Sequence, residues 1–174
     1  MIHGDPKSAN MFVKREGEGH AWDVGFIDFQ WTGFGLPGTD VGHFMCASVA
    51  PGGLSADGSA EEALLDAYYR SFCEAAAEFG AVSTAEGASD ELLTRDELQI
   101  QYENAALDTM RCVFAYQWVR VKASPATLAK NAASIGRNSY NKSLPNALWM
   151  MRTADRLLAA RERRAAMRGE VSGN

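Results

Sequence analysis

The feature that most limits what this chain of 174 residues can fold into is a change of texture near residue 58. Residues 1–58 are rich in glycine, aromatic residues and turn formers, whereas residues 59–168 carry one helical pattern after another. In "SAEEALLDAYYRSFCEAAAEFG" the apolar Leu64, Leu65, Tyr68, Phe72 and Ala76 recur at helical spacing. Ser59 is the candidate N-cap, acids fill the first turn and Gly80 ends the run. Thr94 and Glu97 form a capping-box pattern ahead of a long helix reaching about Val121. A last helix is expected from about Pro145 to Arg168, beyond a polar and partly irregular segment at 131–143 that includes "GRNSYNKS". "AVSTAEGASD" reads as a linker and "GEVSGN" as a flexible tail over 169–174.

The first part reads differently. "NMFVK" and "WDVGFIDF" are β-prone runs, and the Gly-rich, charged "REGEGHA" between them suits a hairpin turn. "TGFGLPG" then breaks regular structure; without a preceding strand and a Gly-Lys ending it is a connecting loop rather than a phosphate loop. "TDVGHFMCASV" starts a short helix, with Thr39 or Asp40 as its cap. The expected fold class is therefore α+β, mainly helical, with one small β-hairpin. Residues 1–50 (loop, hairpin and short helix) and 59–168 (helical part) belong to one unit, 1–168.

Composition removes several function classes. A net charge of −5 gives no global attraction to nucleic acid or anionic membranes. The chain has no apolar run of spanning length and no signal-peptide pattern, so an intracellular, cytoplasmic protein without a membrane span is expected. Three widely spaced cysteines, Cys46, Cys73 and Cys112, suit reduced, mostly buried thiols rather than a zinc site. The arginines of the last helix, Arg152 to Arg168, are read as complementing its dipole and solubilising its exposed face.

The chemistry is concentrated in the first thirty residues. "HGDPKSAN" offers Asp5, Lys7 and Asn10, and the hairpin returns Asp28 toward them. Two carboxylates and an amide oxygen are hard donors suited to Mg²⁺, which completes its shell with water and phosphate oxygens. Lys7 is a cation able to face a transferring phosphoryl group. No nucleophile–base–orienter triad competes, because His20 falls in the expected hairpin turn and His43 in a helix, with no motif around either.

These residues carry a resemblance. "HGDPKSAN" is similar to the H-G-D-x-x-x-x-N catalytic loop of the aminoglycoside phosphotransferase and choline kinase group, relatives of protein kinases. "FIDFQ" resembles that group's metal-binding element, most closely in the ecdysteroid-kinase-like (CHK kinase-like) branch, and "GLPGTDVGHF" resembles the segment that follows it. The resemblance implies the C-terminal lobe of a protein-kinase-like fold, its hairpin carrying the metal-binding Asp28. It implies Asp5 as catalytic base and Lys7 stabilising developing charge. It further implies Asn10 and Asp28 holding Mg²⁺ against ATP, and His3 and Asp40 as structural supports of the loop.

In relatives the lobe that covers the nucleotide precedes the H-G-D motif, and here only Met1 and Ile2 do. The expectation is thus a chain lacking the N-terminal lobe and inactive by itself, with uncovered apolar surface that invites self-association. Its partners would be ATP and a small-molecule alcohol, with no nucleic acid. The alternative is a non-catalytic, kinase-derived binding or interaction module.

Overall fold

The computed structural model describes residues 1–15, 22–132, 142–167 and 169. The expected hairpin turn with His20, most of the polar 131–143 segment, Arg168 and the rest of the tail lie outside the described residues. The fold is mainly helical with one small antiparallel sheet.

The hairpin pairs β1 (Met11–Arg15) with β2 (Trp22–Phe26), setting Met11 opposite Phe26, Val13 opposite Val24 and Arg15 opposite Trp22. These three pairs share one face, because side chains alternate along a strand. β2 ends earlier than the β-prone run "WDVGFIDF". The chain turns at Asp28, whose φ of 64° and ψ of 59° are left-handed, and continues as a 3-10 turn, Phe29–Trp31. Asp and Asn tolerate this region better than other non-glycine residues, which is why the strand breaks there. Past that turn, Gly33 bridges back to Ile2: Ile2 N donates to Gly33 O at 2.8 Å and Gly33 N returns a bond at 3.3 Å.

Helix α1 (Pro37–Ala47) starts two residues before the expected Thr39. Proline at its first position is pre-set for a helix, and the residue at the cap position, Leu36, offers no capping side chain. Its free amide at Gly38 is taken instead by Gln101 Oε1 at 3.2 Å. Gln101 belongs to α4 (Arg95–Cys112), the helix against which α1 packs closely. A Cβ on Gly38 would lie 2.3 Å from Gln101 Cβ, and one on Gly42 would lie 2.8 Å from Ala105 Cβ and Ala106 N. Two glycines one turn apart, Gly38 against the backbone and Cβ of Gln101 and Gly42 against Ala105 and Ala106, therefore let the two helices approach more closely than any side chain there would permit.

Between them, α2 (Ser59–Glu78) is opened not by Ser59 itself but by its neighbours. Asp57 Oδ1 accepts from Ser59 N at 3.0 Å, and Ser55 Oγ accepts from Ala60 N at 3.0 Å. The stretch expected to be a linker contains a short helix, α3 (Ala88–Glu91), which buries Val82 and Ala88 against Cys73 and Ala76 of α2. The capping box at Thr94 is present: Glu97 N donates to Thr94 Oγ1 at 3.1 Å and Thr94 N to Glu97 Oε2 at 2.8 Å. The long helix that follows holds a π-turn at Val113–Gln117 before α5 (Trp118–Arg120). Next come α6 (Pro125–Ala132) and α7 (Leu144–Met167). The core joins α1, α2, α4 and α7 through Met45, Leu65, Leu98, Tyr102, Met110, Met150 and Leu157.

Two arginines of α7 turn inward. Arg156 lies 3.6 Å from the buried Glu61 carboxylate, which also accepts from Trp149 Nε1 at 2.5 Å and Ser55 Oγ at 3.0 Å. Arg164 pairs with Glu103. The basic helix is thus tied to acids of α2 and α4 along one side.

Candidate active site

Gly4 begins the site. Its φ of +85° favours glycine, and a Cβ there would stand 2.4 Å from Trp31 O, so no other residue fits. The turn it makes sends Asp5 into the interior, where Asp5 is 6% and Asn10 5% exposed. Asn10 Nδ2 donates to Asp5 O at 3.0 Å and to Asp5 Oδ2 at 3.2 Å, and Lys7 Nζ forms an ion pair with the same Oδ2. Lys7 and Asn10 therefore converge on the Asp5 carboxylate, as their spacing in the loop suggests.

Helix α1 grips this loop from one end to the other. From its first turn Asp40 accepts from His3 N at 2.7 Å (Oδ2) and Gly4 N at 2.9 Å (Oδ1). From its second turn His43 Nε2 reaches to 3.4 Å from Asp5 Oδ1. At its C-terminal end Ser48 Oγ accepts from Ser8 N at 2.7 Å and donates to Pro6 O at 3.4 Å. In the sequence His43 stands in a helix with no motif around it. The signal it lacked is positional: Asp40 and His43 are three apart, neighbours on a helix surface, so a loop gripped by one meets the other.

His3 orders the other side. Its Nδ1 accepts from Asp5 N at 3.3 Å, which leaves the ring proton on Nε2 to be donated to Ile27 O at 2.9 Å. The ring also packs on Phe26 and Phe29, with centroids 5.5 and 4.9 Å away. Ile27 N donates to Asn10 O at 3.0 Å, so both ends of the Ile27 peptide are tied to the loop immediately before Asp28. Asp28 is exposed, and the backbone bond between Ile27 and Asn10 holds its segment beside the loop.

His43 is held below the ordinary histidine range. Burial is the largest cause, opposed by Asp5 and, more weakly, by Asp40, with Lys7 and His3 adding to the depression.

The donor chemistry suits a hard divalent cation. Asn10 spends its amide N–H groups on Asp5, which leaves its Oδ1 accepting no hydrogen bond from the described residues, and Asp28 adds an exposed carboxylate. One carboxylate and one neutral oxygen match Mg²⁺, which takes few protein ligands and fills its shell with water and phosphate oxygens. Among the described residues no three His, Cys, Asp or Glu side chains are grouped to hold a metal, so a thiolate- or histidine-rich centre is not formed there.

A cavity of about 700 Å³ borders the loop from behind. Met11, Val13, Val24 and Phe26 of the hairpin face Val41 and Phe44 of α1 and Leu64 and Tyr68 of α2 across it. His3, Pro6 and Asp40 line it but Asp5, Lys7, Asn10 and Asp28 do not. It is nearly wholly apolar, and Phe34, Trp31 and Trp22 are exposed elsewhere on this first part of the chain.

The fold and site together define a mainly helical α+β protein with a polar loop clamped to its first helix. Within known sequences, the family described as uncharacterized oxidoreductase dhs-27 (DUF1679) matches residues 1–114, and the chain belongs to that family. The family is related to the ecdysteroid and CHK kinase-like group. Every residue of the loop and of its α1 clamp lies inside the matched stretch. Neither a curated protein nor a solved structure matches the chain. No helix among the described residues is long and apolar enough to cross a membrane.

Proposed function

We propose that this chain carries the base and metal-binding elements of an ATP-dependent phosphotransferase of the ecdysteroid-kinase-like branch, acting on the hydroxyl of a small molecule. The observation that carries the reading is the convergence of Lys7 and Asn10 on the buried Asp5 carboxylate, with the Asp28 segment tied to Asn10. In this reading Asp5 orients the acceptor hydroxyl and takes its proton as the γ-phosphoryl group passes from the β-phosphate oxygen of ATP to the hydroxyl oxygen. Lys7 lies beside the base and offsets negative charge that builds on the transferring group. Asn10 and Asp28 would hold Mg²⁺, which supplies neutralisation of the phosphate oxygens. His3 and Asp40 keep the loop in register and touch no reacting atom.

The family's description speaks of an oxidoreductase. Dinucleotide cofactors bind at a strand–glycine-rich turn–helix unit of a parallel sheet. Among the described residues the sheet is a two-stranded antiparallel hairpin, so phosphoryl transfer accounts better for the polar set. A second reading, a non-catalytic interaction module, draws support from the apolar cavity and from the exposed aromatic residues elsewhere on the first part of the chain, which also favour self-association.

The test is a thermal melt of the chain with Mg²⁺ and ATP, wild type beside Asp28→Ala. A nucleotide at 100 times its dissociation constant adds about 2.7 kcal/mol to the folded state. A shift that requires both Mg²⁺ and Asp28 is expected, and transfer of labelled γ-phosphate must then be lost in Asp5→Asn. A flat melt, together with a stable complex that Asp28→Ala leaves intact, would favour the interaction module.

A further inference from the structure

The Asp5 carboxylate is held at both oxygens by different parts of the fold. Oδ2 faces Lys7 and Asn10, which sit on the same loop as Asp5 and move with it. Oδ1 faces His43, the contact that ties the carboxylate itself to a packed helix rather than to its own loop. A donor at Oδ1 adds an anchor from α1 to those that the loop itself supplies at Oδ2.

We propose that His43 is a positioning residue for Asp5, donating its Nε2–H to Oδ1 and so fixing the plane of the base while it accepts a proton from the substrate hydroxyl. The role rests on the phosphotransfer reading above. The groups facing His43 are Asp5 and Lys7 of the loop, Asp40 of its own helix, and His3. Burial holds its pKa down, so at neutral pH the ring is uncharged and adds no second cation next to Lys7. An uncharged imidazole attracts a carboxylate only through its N–H, which fixes the proton on Nε2. At 3.4 Å the contact is an electrostatic pairing rather than a formed hydrogen bond, and catalytic donors often draw in to bonding distance only when substrate binds. His43 is also well placed to be rigid. It follows directly on Gly42, which packs closely against Ala105 and Ala106, and lies three residues after Asp40, which holds two loop amides.

Two readouts on the full chain test this. Nitrogen-15 spectra of the histidine rings report the tautomer: the expected result is a proton on Nε2 of His43 whose resonance shifts in Asp5→Ala, and a proton on Nδ1 would overturn the proposal. The second readout is phosphate release from Mg²⁺–ATP with water as the acceptor. His43→Leu should lower kcat about tenfold with KM for ATP unchanged, and His43→Gln, which keeps a donor, should recover most of it. A merely structural role would instead lower the melting point and affect Leu and Gln variants alike. Turnover in wild type with His43→Leu unaffected would overturn this role alone. Where the chain releases no phosphate by itself, as its sequence leads one to expect, the tautomer readout alone decides the role, and a proton on Nδ1 overturns it.

Discussion

Replacing Asp40 by alanine tests whether α1 shapes the loop. The carboxylate accepts from two backbone amides, His3 N at 2.7 Å and Gly4 N at 2.9 Å, one on each oxygen. A hydrogen bond to a charged group is worth about 1.5–3 kcal/mol, and this one is half-buried, so the lower end applies to each. Losing both removes about 3 kcal/mol from the attachment of the loop, or roughly a hundredfold in its closed-to-open ratio. The loss falls on a local opening, because α1, α4 and the core beneath them keep their contacts. Amide hydrogen exchange at His3, Gly4 and Asp5, followed by NMR in wild type and Asp40→Ala, reads that opening directly. Exchange there should quicken by roughly two orders of magnitude while amides of α4 change little. A change of less than threefold at His3 and Gly4 would refute the idea that Asp40 holds the loop.

Three further outcomes are expected. Glu61→Ala leaves the half-buried Arg156 without its ion-pair partner and the buried Trp149 indole N–H without its acceptor, and should cost about 3 kcal/mol in urea unfolding, with Trp149 fluorescence as reporter. Gly42→Ala should cost about 1–3 kcal/mol by forcing α1 off α4, whereas Gly52→Ala, where an added Cβ meets nothing within 4 Å, should be close to neutral in the same assay. The buried Cys46 thiol is pushed up to about 12 by desolvation. Below about pH 8.5 both states keep this proton, and above it the unfolded chain ionises while the folded one does not. Stability therefore falls as pH rises past that point, by about tenfold in the folding constant per pH unit, and Cys46→Ala should flatten this slope between pH 8.5 and 10.

How much of this was legible in the sequence depends on the range over which each residue acts. The Thr94 capping box and the two strands are local patterns, each legible where it stands; the helix α2 is legible too, but of its expected apolar face Leu65 and Ala76 are buried and Phe72 partly so, whereas Leu64 and Tyr68 are exposed along the cavity. Asp5, Lys7 and Asn10 were legible as a set because six residues of chain keep them together whatever the rest does. His43 and Ser48 were not, because their meaning comes from α1 lying along the loop, a contact across some forty residues. The short α3 was lost in a small-residue stretch whose burial comes from the facing side of α2. The start of α2 was misplaced because Ser55 and Asp57, upstream, do the capping work assigned to Ser59. Arg156 and Arg164 looked like solvent-facing charges, since nothing local announces Glu61 and Glu103 as their partners.

Gly38 and Gly42 stand apart from every reacting group, yet they set where those groups are. They fix the separation of α1 from α4, and α1 in turn holds residues 3, 4, 5, 6 and 8 through Asp40, His43 and Ser48. The helix works as a jig: the loop copies its shape from a surface whose own position is set by two hydrogens in place of side chains. A methyl group added at either glycine would therefore displace all the loop's clamps together, and the site would lose its alignment as a unit rather than contact by contact.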